Sequence, residues 1–193
     1  RYNRPMTWML VIVAAFALLV VVIYNRLIRD RNRVDAAWSD IDVQLQRRHD
    51  LISQLVKAVD QYAGYEKATL EAVTTLRAEA MQLTAGGRID ELGRKEQTLD
   101  EGVQRLIALA ESYPDLKANE NFLNLQGSLA ETENYLQFAR RFYNGAVRQF
   151  NTRVETVPNN LLAGTFGFSQ REFYQKASDD AANVPLVDLG SVE

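Results

Sequence analysis

Few residues in this sequence have the type and spacing that catalysis or metal binding requires. Cysteine is absent and His49 is the single histidine, so thiolate sites are excluded, and a lone histidine makes a poor metal site. We expect His49 to pack or to lie at the solvent edge. Asp179 and Asp180 lack the glycine-containing acidic loop that binds Ca²⁺, and residues 164–167 are interpreted as a turn. The sequence therefore predicts no catalytic residue, no cofactor and no metal.

Arg48 is the most informative polar residue, because it interrupts an otherwise apolar helical seam. Steps that alternate between four and three residues connect Val34, Trp38, Ile41, Leu45, Arg48, Ile52, Leu55, Val59 and Tyr62, which is a heptad pattern. A charge at such a position is costly unless it is paired. An antiparallel fourth helix would bring Glu131 and Glu133 opposite Arg48. We therefore expect a structural ion pair, with a ligand-binding charge cluster as the alternative.

An uncharged run from Met6 to Ile23 is the segment around which the chain is organised. As a helix it would cover about 27 Å, close to the roughly 30 Å hydrocarbon core of a bilayer. Trp8 and Tyr24 lie at its ends, and Arg4 and Arg26 lie just outside them, as is typical of membrane-interface anchors. No small-residue cleavage site follows, so the run is interpreted as a retained transmembrane helix rather than a signal peptide.

Helical periodicity continues beyond this run and predicts an all-α protein. Proline and glycine are absent from 6–63, so the membrane helix should continue into the first helix of an elongated antiparallel four-helix bundle. The predicted divisions are a flank at 1–5, a transmembrane helix at 6–24, a bundle at 25–158 (helices at 25–63, 65–85, 88–112 and 119–157) and an irregular apolar tail at 159–193.

The unequal helix lengths predict a neck near the membrane, where only the first and fourth helices meet. The apolar tail returns to the same level. It should cover its own neck, pack on a neighbouring subunit or dip into the membrane interface. The candidate subunit interface comprises Val34, Ala37, Trp38, Leu161, Leu162, Phe166 and Phe168.

Three long stretches of the chain have a specific sequence. They read YNRLIRDRNRVDAAWSDIDVQLQRRHDLISQLVKAVDQYAGYE, YPDLKANENFLNLQGSLAETENYLQFARRFYNGAVRQFN and VPNNLLAGTFGF. These stretches resemble the LemA family. The resemblance runs from Tyr24 to Tyr174, apart from the linker between the second and third helices. It implies a membrane-anchored helical bundle of poorly defined function, and it brings no catalytic residues.

Three classes of function fit these features. The first is a non-enzymatic scaffold or adaptor of the bacterial cell envelope that forms homo-oligomers through its neck and tail. The second is a membrane sensor that transmits a shift along the continuous first helix. The third is a ligand-binding bundle or an enzyme, which would need a convergent polar pocket that the seams do not supply.

Charge and location limit the partners. The net charge is −3 although arginines concentrate around the apolar run, so the remaining chain is more acidic, which argues against nucleic acid. The expected partners are the lipid bilayer, further copies of the chain and another membrane or envelope protein.

We expect a single-pass protein of the bacterial cytoplasmic (inner) membrane. Arginines after the span favour a cytoplasmic bundle, whereas lipoproteins in the LemA family imply the outside, so both orientations stay open.

Overall fold

The chain is helical throughout the part that the computed structural model describes, residues 4–63, 66–86 and 88–174, and no strand occurs there. The predicted all-α class is confirmed. Residues 1–3 and 175–193, which belong to the predicted flank and tail, lie outside the described residues. The helices are α1 (Arg4–Ala63), α2 (Lys67–Ala85), α3 (Ile89–Ala110), α4 (Pro114–Lys117), α5 (Glu120–Glu155) and α6 (Asn159–Thr165).

The first helix, α1, runs without interruption from Arg4 to Ala63, in agreement with the absence of proline and glycine. Its N-terminal part is the one described segment that is long and apolar enough to cross a membrane. The side chains of residues 6–22 are exposed except that of Val20, which is half-buried, and Ile23 is buried. So large an exposed apolar surface is unfavourable in water, and a lipid bilayer would cover it.

The described residues form two compact units, and α1 and α5 contribute to both. The neck unit comprises residues 4–44 and 134–173. The central unit comprises Leu45–Glu133 together with Tyr174.

Five helices supply the apolar core of the central unit. The seam positions Ile52, Leu55 and Val59 of α1 are fully buried, as the heptad pattern predicted. Each such side chain contributes about 1.5–3 kcal/mol when it leaves water. The other members of the core are Ala63, Leu70, Val73, Ala80, Leu99, Val103, Leu106, Ala110, Leu116, Phe122 and Leu129.

Two short-range signals shape the connection between α3 and α5. Pro114 opens the short helix α4, where its missing N–H would have had no helical partner. The side-chain Oδ1 of Asn119 then accepts hydrogen bonds from the backbone N–H groups of Asn121 at 2.9 Å and Phe122 at 3.2 Å. Asn119 is therefore the N-cap of α5.

The predicted irregular tail contains a helix, and that part of the prediction is wrong. Helix α6 forms because residues 159–163 follow a proline and include leucines and an alanine, which are good helix formers. The helix ends where Gly167 adopts a φ of 71°, a conformation that favours glycine. The N–H of Phe168 donates to the carbonyl of Ala163 at 2.9 Å, which closes the last turn.

Candidate functional site

A buried ionic cluster lies inside the central unit. It consists of Arg48 and His49 on α1, Glu96 and Asp100 on α3, and Glu133 on α5. The side chains of Arg48 and Glu96 are only 6% and 2% exposed. Charges held this far from water must be paired or they destabilise the fold.

The guanidinium of Arg48 is the centre of this cluster. Its Nη1 donates to Glu96 Oε2 at 2.9 Å, and its Nη2 contacts the carboxylate of Asp100. Glu96 and Asp100 lie one helical turn apart, so both face α1. The carboxylate of Glu133 is more distant, with Oε2 at 3.8 Å from Nη1.

His49 is buried against the same carboxylate, so of the two positions expected for it, it takes the packed one rather than the solvent edge. Its Nε2 lies 2.8 Å from Glu96 Oε1, so Glu96 binds both neighbours with its two oxygens. Its backbone carbonyl also accepts a hydrogen bond from Nε of Arg77 at 2.8 Å. That bond connects α2 to the same turn of α1.

The two glutamates predicted as partners of Arg48 lie in different places in the structure. Glu133 lies near Arg48, whereas Glu131 contacts Arg47 at 3.5 Å on the exposed surface. Two residues that are two positions apart point to different faces of a helix, so both could not face Arg48. Glu96 was missed, although it replaces an apolar residue between Leu92 and Leu99 on the buried face of α3, just as Arg48 does on α1.

The cluster is suited to holding helices together rather than to chemistry. One guanidinium and one imidazole face three carboxylates, and no hydroxyl or thiol nucleophile belongs to the cluster. Within the described ranges, no group of three or more His, Cys, Asp or Glu residues could hold a metal ion. The pairing connects α1, α3 and α5 and therefore sets how these helices align.

The segment after α6 covers the neck of its own chain. The hydroxyl of Tyr143 donates to the carbonyl of Glu172 at 2.9 Å. The amide side chain of Asn151 donates to the Arg171 carbonyl at 2.9 Å and accepts from its N–H at 2.8 Å. Burial raises the pKa of Tyr143 to about 12, although the nearby Arg171 cation opposes this shift.

Part of the candidate subunit interface is buried within the chain, which corrects the prediction for three of its seven residues. Val34, Ala37 and Phe168 are buried in the neck unit and are not available to a neighbouring subunit. The Trp38 ring is half-buried, 5.6 Å from the Tyr143 ring.

The remaining predicted residues stay accessible to different degrees. Leu161 and Phe166 are exposed, and Leu162 is half-buried. Of the membrane-interface anchors, Trp8, Tyr24 and Arg26 are exposed on α1, while the side chain of Arg4 lies outside the described part of the chain.

A row of exposed aromatic rings on α5 was not predicted. Tyr135, Phe138 and Phe142 follow one another at steps of three and four residues, and each is about half-exposed or more. The guanidinium of Arg141 lies 4.7 Å from the Phe138 ring centroid, and that of Arg33 lies 5.5 Å from Phe142. The signal was present in the sequence, beside the buried seam on the same helix.

These features define an all-helical protein with one apolar N-terminal helix that can span a bilayer. The chain belongs to the LemA family, because the model of that family matches residues 37–189. Family membership and the apolar helix together indicate a membrane protein.

Similar proteins come from several bacteria. Magnetosome protein MamQ 2 of Paramagnetospirillum magneticum is 25% identical over 200 residues, covering 91% of this chain and 72% of the relative. Magnetosome protein MamQ of Magnetospirillum gryphiswaldense is 23% identical over 198 residues, covering 90% and 71%. Protein LemA of Metamycoplasma hominis is 25% identical over 169 residues, covering 88% and 74%.

Proposed function

We propose that this protein is a membrane-anchored scaffold or adaptor of the bacterial cell envelope, without catalytic activity, that assembles with copies of itself. It would cross the cytoplasmic (inner) membrane once. Its long helices would form an antiparallel four-helix bundle. The observation that carries the proposal is the exposed aromatic row Tyr135–Phe138–Phe142 on α5.

The aromatic row has the spacing of a surface that receives another helix. Steps of three and four residues keep side chains on one face, which is the pattern that helix pairs use. Gly145 extends the row by three residues, and apart from its chain neighbours and the adjacent backbone of α5 no atom lies within 4 Å of the position a Cβ would take there. A partner helix can therefore approach closely beside Phe142.

The membrane favours a second copy as the occupant of this face. Chains anchored in one bilayer by the same N-terminal helix stand parallel, so identical residues of two copies lie at the same height. The rings of one α5 would then meet those of the other, and aromatic pairs contribute about 0.5–1.5 kcal/mol each beyond their buried area. Arg141 and Arg33 could stack on rings of either copy.

The buried ionic cluster supports a structural role for the central unit. Its charged groups pair with one another inside the fold, and their hydrogen bonds are directed to helices of the same chain. A rigid central unit would offer a fixed surface to another membrane or envelope protein.

Mass measurement in nanodiscs or mild detergent tests the assembly. The wild type is expected to form a discrete assembly of several chains. Phe138→Ser combined with Phe142→Ser should reduce it to a monomer of 21.9 kDa protein mass. Leu123→Ser is the control, because Leu123 is also exposed on α5 but lies outside the aromatic row.

Two outcomes would contradict the proposal. A wild type that is already monomeric would exclude self-assembly. An assembly that survives the double substitution would exclude the aromatic row as its interface, and removal of residues 159–193 would then test the tail.

A membrane sensor is the second candidate, supported by the continuity of α1. One unbroken helix contains both the apolar segment and the residues Arg48 and His49. A rotation or shift of the span could therefore be carried along the same helix. A monomeric wild type would favour this candidate over the scaffold.

A further inference from the structure

We propose that α6 and the residues beside it rest on the membrane surface and form a second contact with lipid, separate from the spanning helix. The segment Thr156–Phe168 contains no charged residue, although charged residues make up 24% of the chain. Within it, Val157 and Leu161 are 77% and 70% exposed, and Phe166 is also exposed.

Ring contacts place this segment at the level where the span ends. Tyr24 follows directly on the apolar run, and its ring centroid lies 5.0 Å from that of Phe166 and 5.9 Å from that of Phe168. Ile23, the last residue of the run, is buried, unlike the exposed residues Leu18, Leu19, Val21 and Val22 before it. The residues around α6 therefore lie beside the last turn of the apolar run.

The dimensions of a bilayer bring the exposed leucine within reach of lipid. The interfacial region adds about 5–7 Å to each side of the hydrocarbon core. The five steps from Leu161 to Phe166 rise by only about 7–8 Å along a helix. The side chains of Leu161 and Phe166 consequently lie at the depth of the headgroups or just beneath them, where apolar and aromatic groups are favoured.

The charges around this segment suit a phospholipid surface. Arg26 and Arg29 are exposed on the first two turns of α1 after the span, where their guanidinium groups can bind lipid phosphates. The cations and the uncharged segment thus occupy the same end of the neck unit. The bilayer is the occupant we assign to the exposed face of α6, because this face continues the surface that the span already presents to lipid.

Spin labelling tests the proposal on the 193-residue chain, whose sequence contains no cysteine that would have to be removed. Leu161→Cys carries the nitroxide at α6. Val43→Cys is the matched control, since Val43 is 61% exposed on α1 and lies outside the aromatic row, about 29 Å of helix beyond Tyr24. Leu19→Cys gives the reference for a label inside the span. Each variant is placed in vesicles of phosphatidylethanolamine and phosphatidylglycerol.

The readout is the ratio of collisions with oxygen, which partitions into lipid, to collisions with a water-soluble nickel complex. For Leu161→Cys we expect a ratio several-fold above that of Val43→Cys and below that of Leu19→Cys. A ratio equal to that of Val43→Cys would place α6 in water and overturn the proposal. Low accessibility to both reagents would also overturn it, because protein would then cover the face. Neither result depends on the assembly mass, so this test is independent of the scaffold proposal.

Discussion

At the scale of single residues, Arg48 shows how one buried charge can determine the alignment of several helices. Its guanidinium connects α1 to Glu96 and Asp100 on α3, and it lies near Glu133 on α5. A hydrophobic residue of the same size could fill the space, but it would leave the carboxylates without a cation. The cluster therefore favours one alignment of the helices over others of similar apolar contact.

Arg48→Met is expected to lower the free energy of unfolding by about 3–5 kcal/mol, because it leaves Glu96 and Asp100 buried without their cation. The neighbouring variant Arg47→Met is the control. It removes an exposed pair with Glu131 at 3.5 Å and should cost less than about 1 kcal/mol. Thermal and urea unfolding followed by circular dichroism would measure both, and equal losses would contradict a special role for Arg48.

Double-mutant cycles would then rank the partners of Arg48. Coupling with Glu96 is expected to exceed coupling with Glu133, since the donor–acceptor distances are 2.9 Å and 3.8 Å. Contacting residues are non-additive, whereas independent residues add. Full additivity of Arg48→Ala and Glu133→Ala would exclude the pairing that the sequence predicted.

Tyr143→Phe is expected to destabilise the protein by about 1 kcal/mol at neutral pH, because the hydrogen bond to the Glu172 carbonyl is lost. The pKa of Tyr143 is raised from 10.0 to about 12 in the folded state. Between these values the folded state holds the proton more tightly than the unfolded chain does. Wild-type stability should therefore fall as the pH rises through this window.

The variant lacks this group, so the stability difference between wild type and Tyr143→Phe should shrink above pH 10. Unfolding in urea at pH 8 and at several pH values above 10 would measure the change. A difference that stays constant or grows with pH would show that Tyr143 ionises without hindrance.

Sequence reasoning identified Arg48 but only part of its surroundings. A charge at a heptad position indicates a buried partner, and the assumed pairing of α1 with α5 led to Glu131 and Glu133. The positions of Glu96 and Asp100 depend on how α3 packs against α1, which periodicity does not determine. For the same reason the sequence left open whether His49 packs or lies at the solvent edge, and the structure shows that it packs on Glu96 of α3.

At the scale of elements, the segment after α6 packs in the neck unit together with parts of α1 and α5. Phe168→Ala should open this contact, because Phe168 lies 6.5 Å from the Phe150 ring centroid and 5.9 Å from that of Tyr24. The expected result is faster amide hydrogen exchange in residues 143–150 of the neck unit. Exchange in residues 99–106 of the central unit should not change, because those amides belong to a separate compact unit.

Phe173→Ala is the control for this experiment, since it removes a partly exposed ring from the same segment. It should leave both regions protected. Equal acceleration in the two units with Phe168→Ala would mean that they open together.

Long elements with strong periodicity were predictable, and short ones were not. The continuity of α1 follows from the absence of helix breakers, and the start of α5 follows from Asn119. The helix α6 has only seven residues, of which Ala163 alone is buried, too few for a periodic pattern. The position of the apolar tail was open among three alternatives, and the hydrogen bonds from Tyr143 to Glu172 and between Asn151 and Arg171 show that this part of it packs on α5 of its own chain.

At the scale of the whole molecule, the family and the all-helical class were the parts that sequence supported best. Assembly and lipid contact depend on surfaces, and a surface becomes visible only when the buried faces are known. The aromatic row on α5 illustrates this point, because its spacing resembles that of the neighbouring buried seam. Mass measurement therefore tests self-assembly, and spin labelling tests lipid contact.

The long separation of the neck contacts has a consequence for biosynthesis. Asp35 pairs with Arg171, 136 residues later, whereas Arg48 and Glu96 are 48 residues apart. A ribosome that adds roughly 5–20 residues per second makes Arg171 on the order of ten seconds after Asp35. During that time the span can already be inserted while Val34 and Ala37 await their cover. A chaperone or an insertase would therefore have the longest time to bind the neck residues while the chain is still being synthesised.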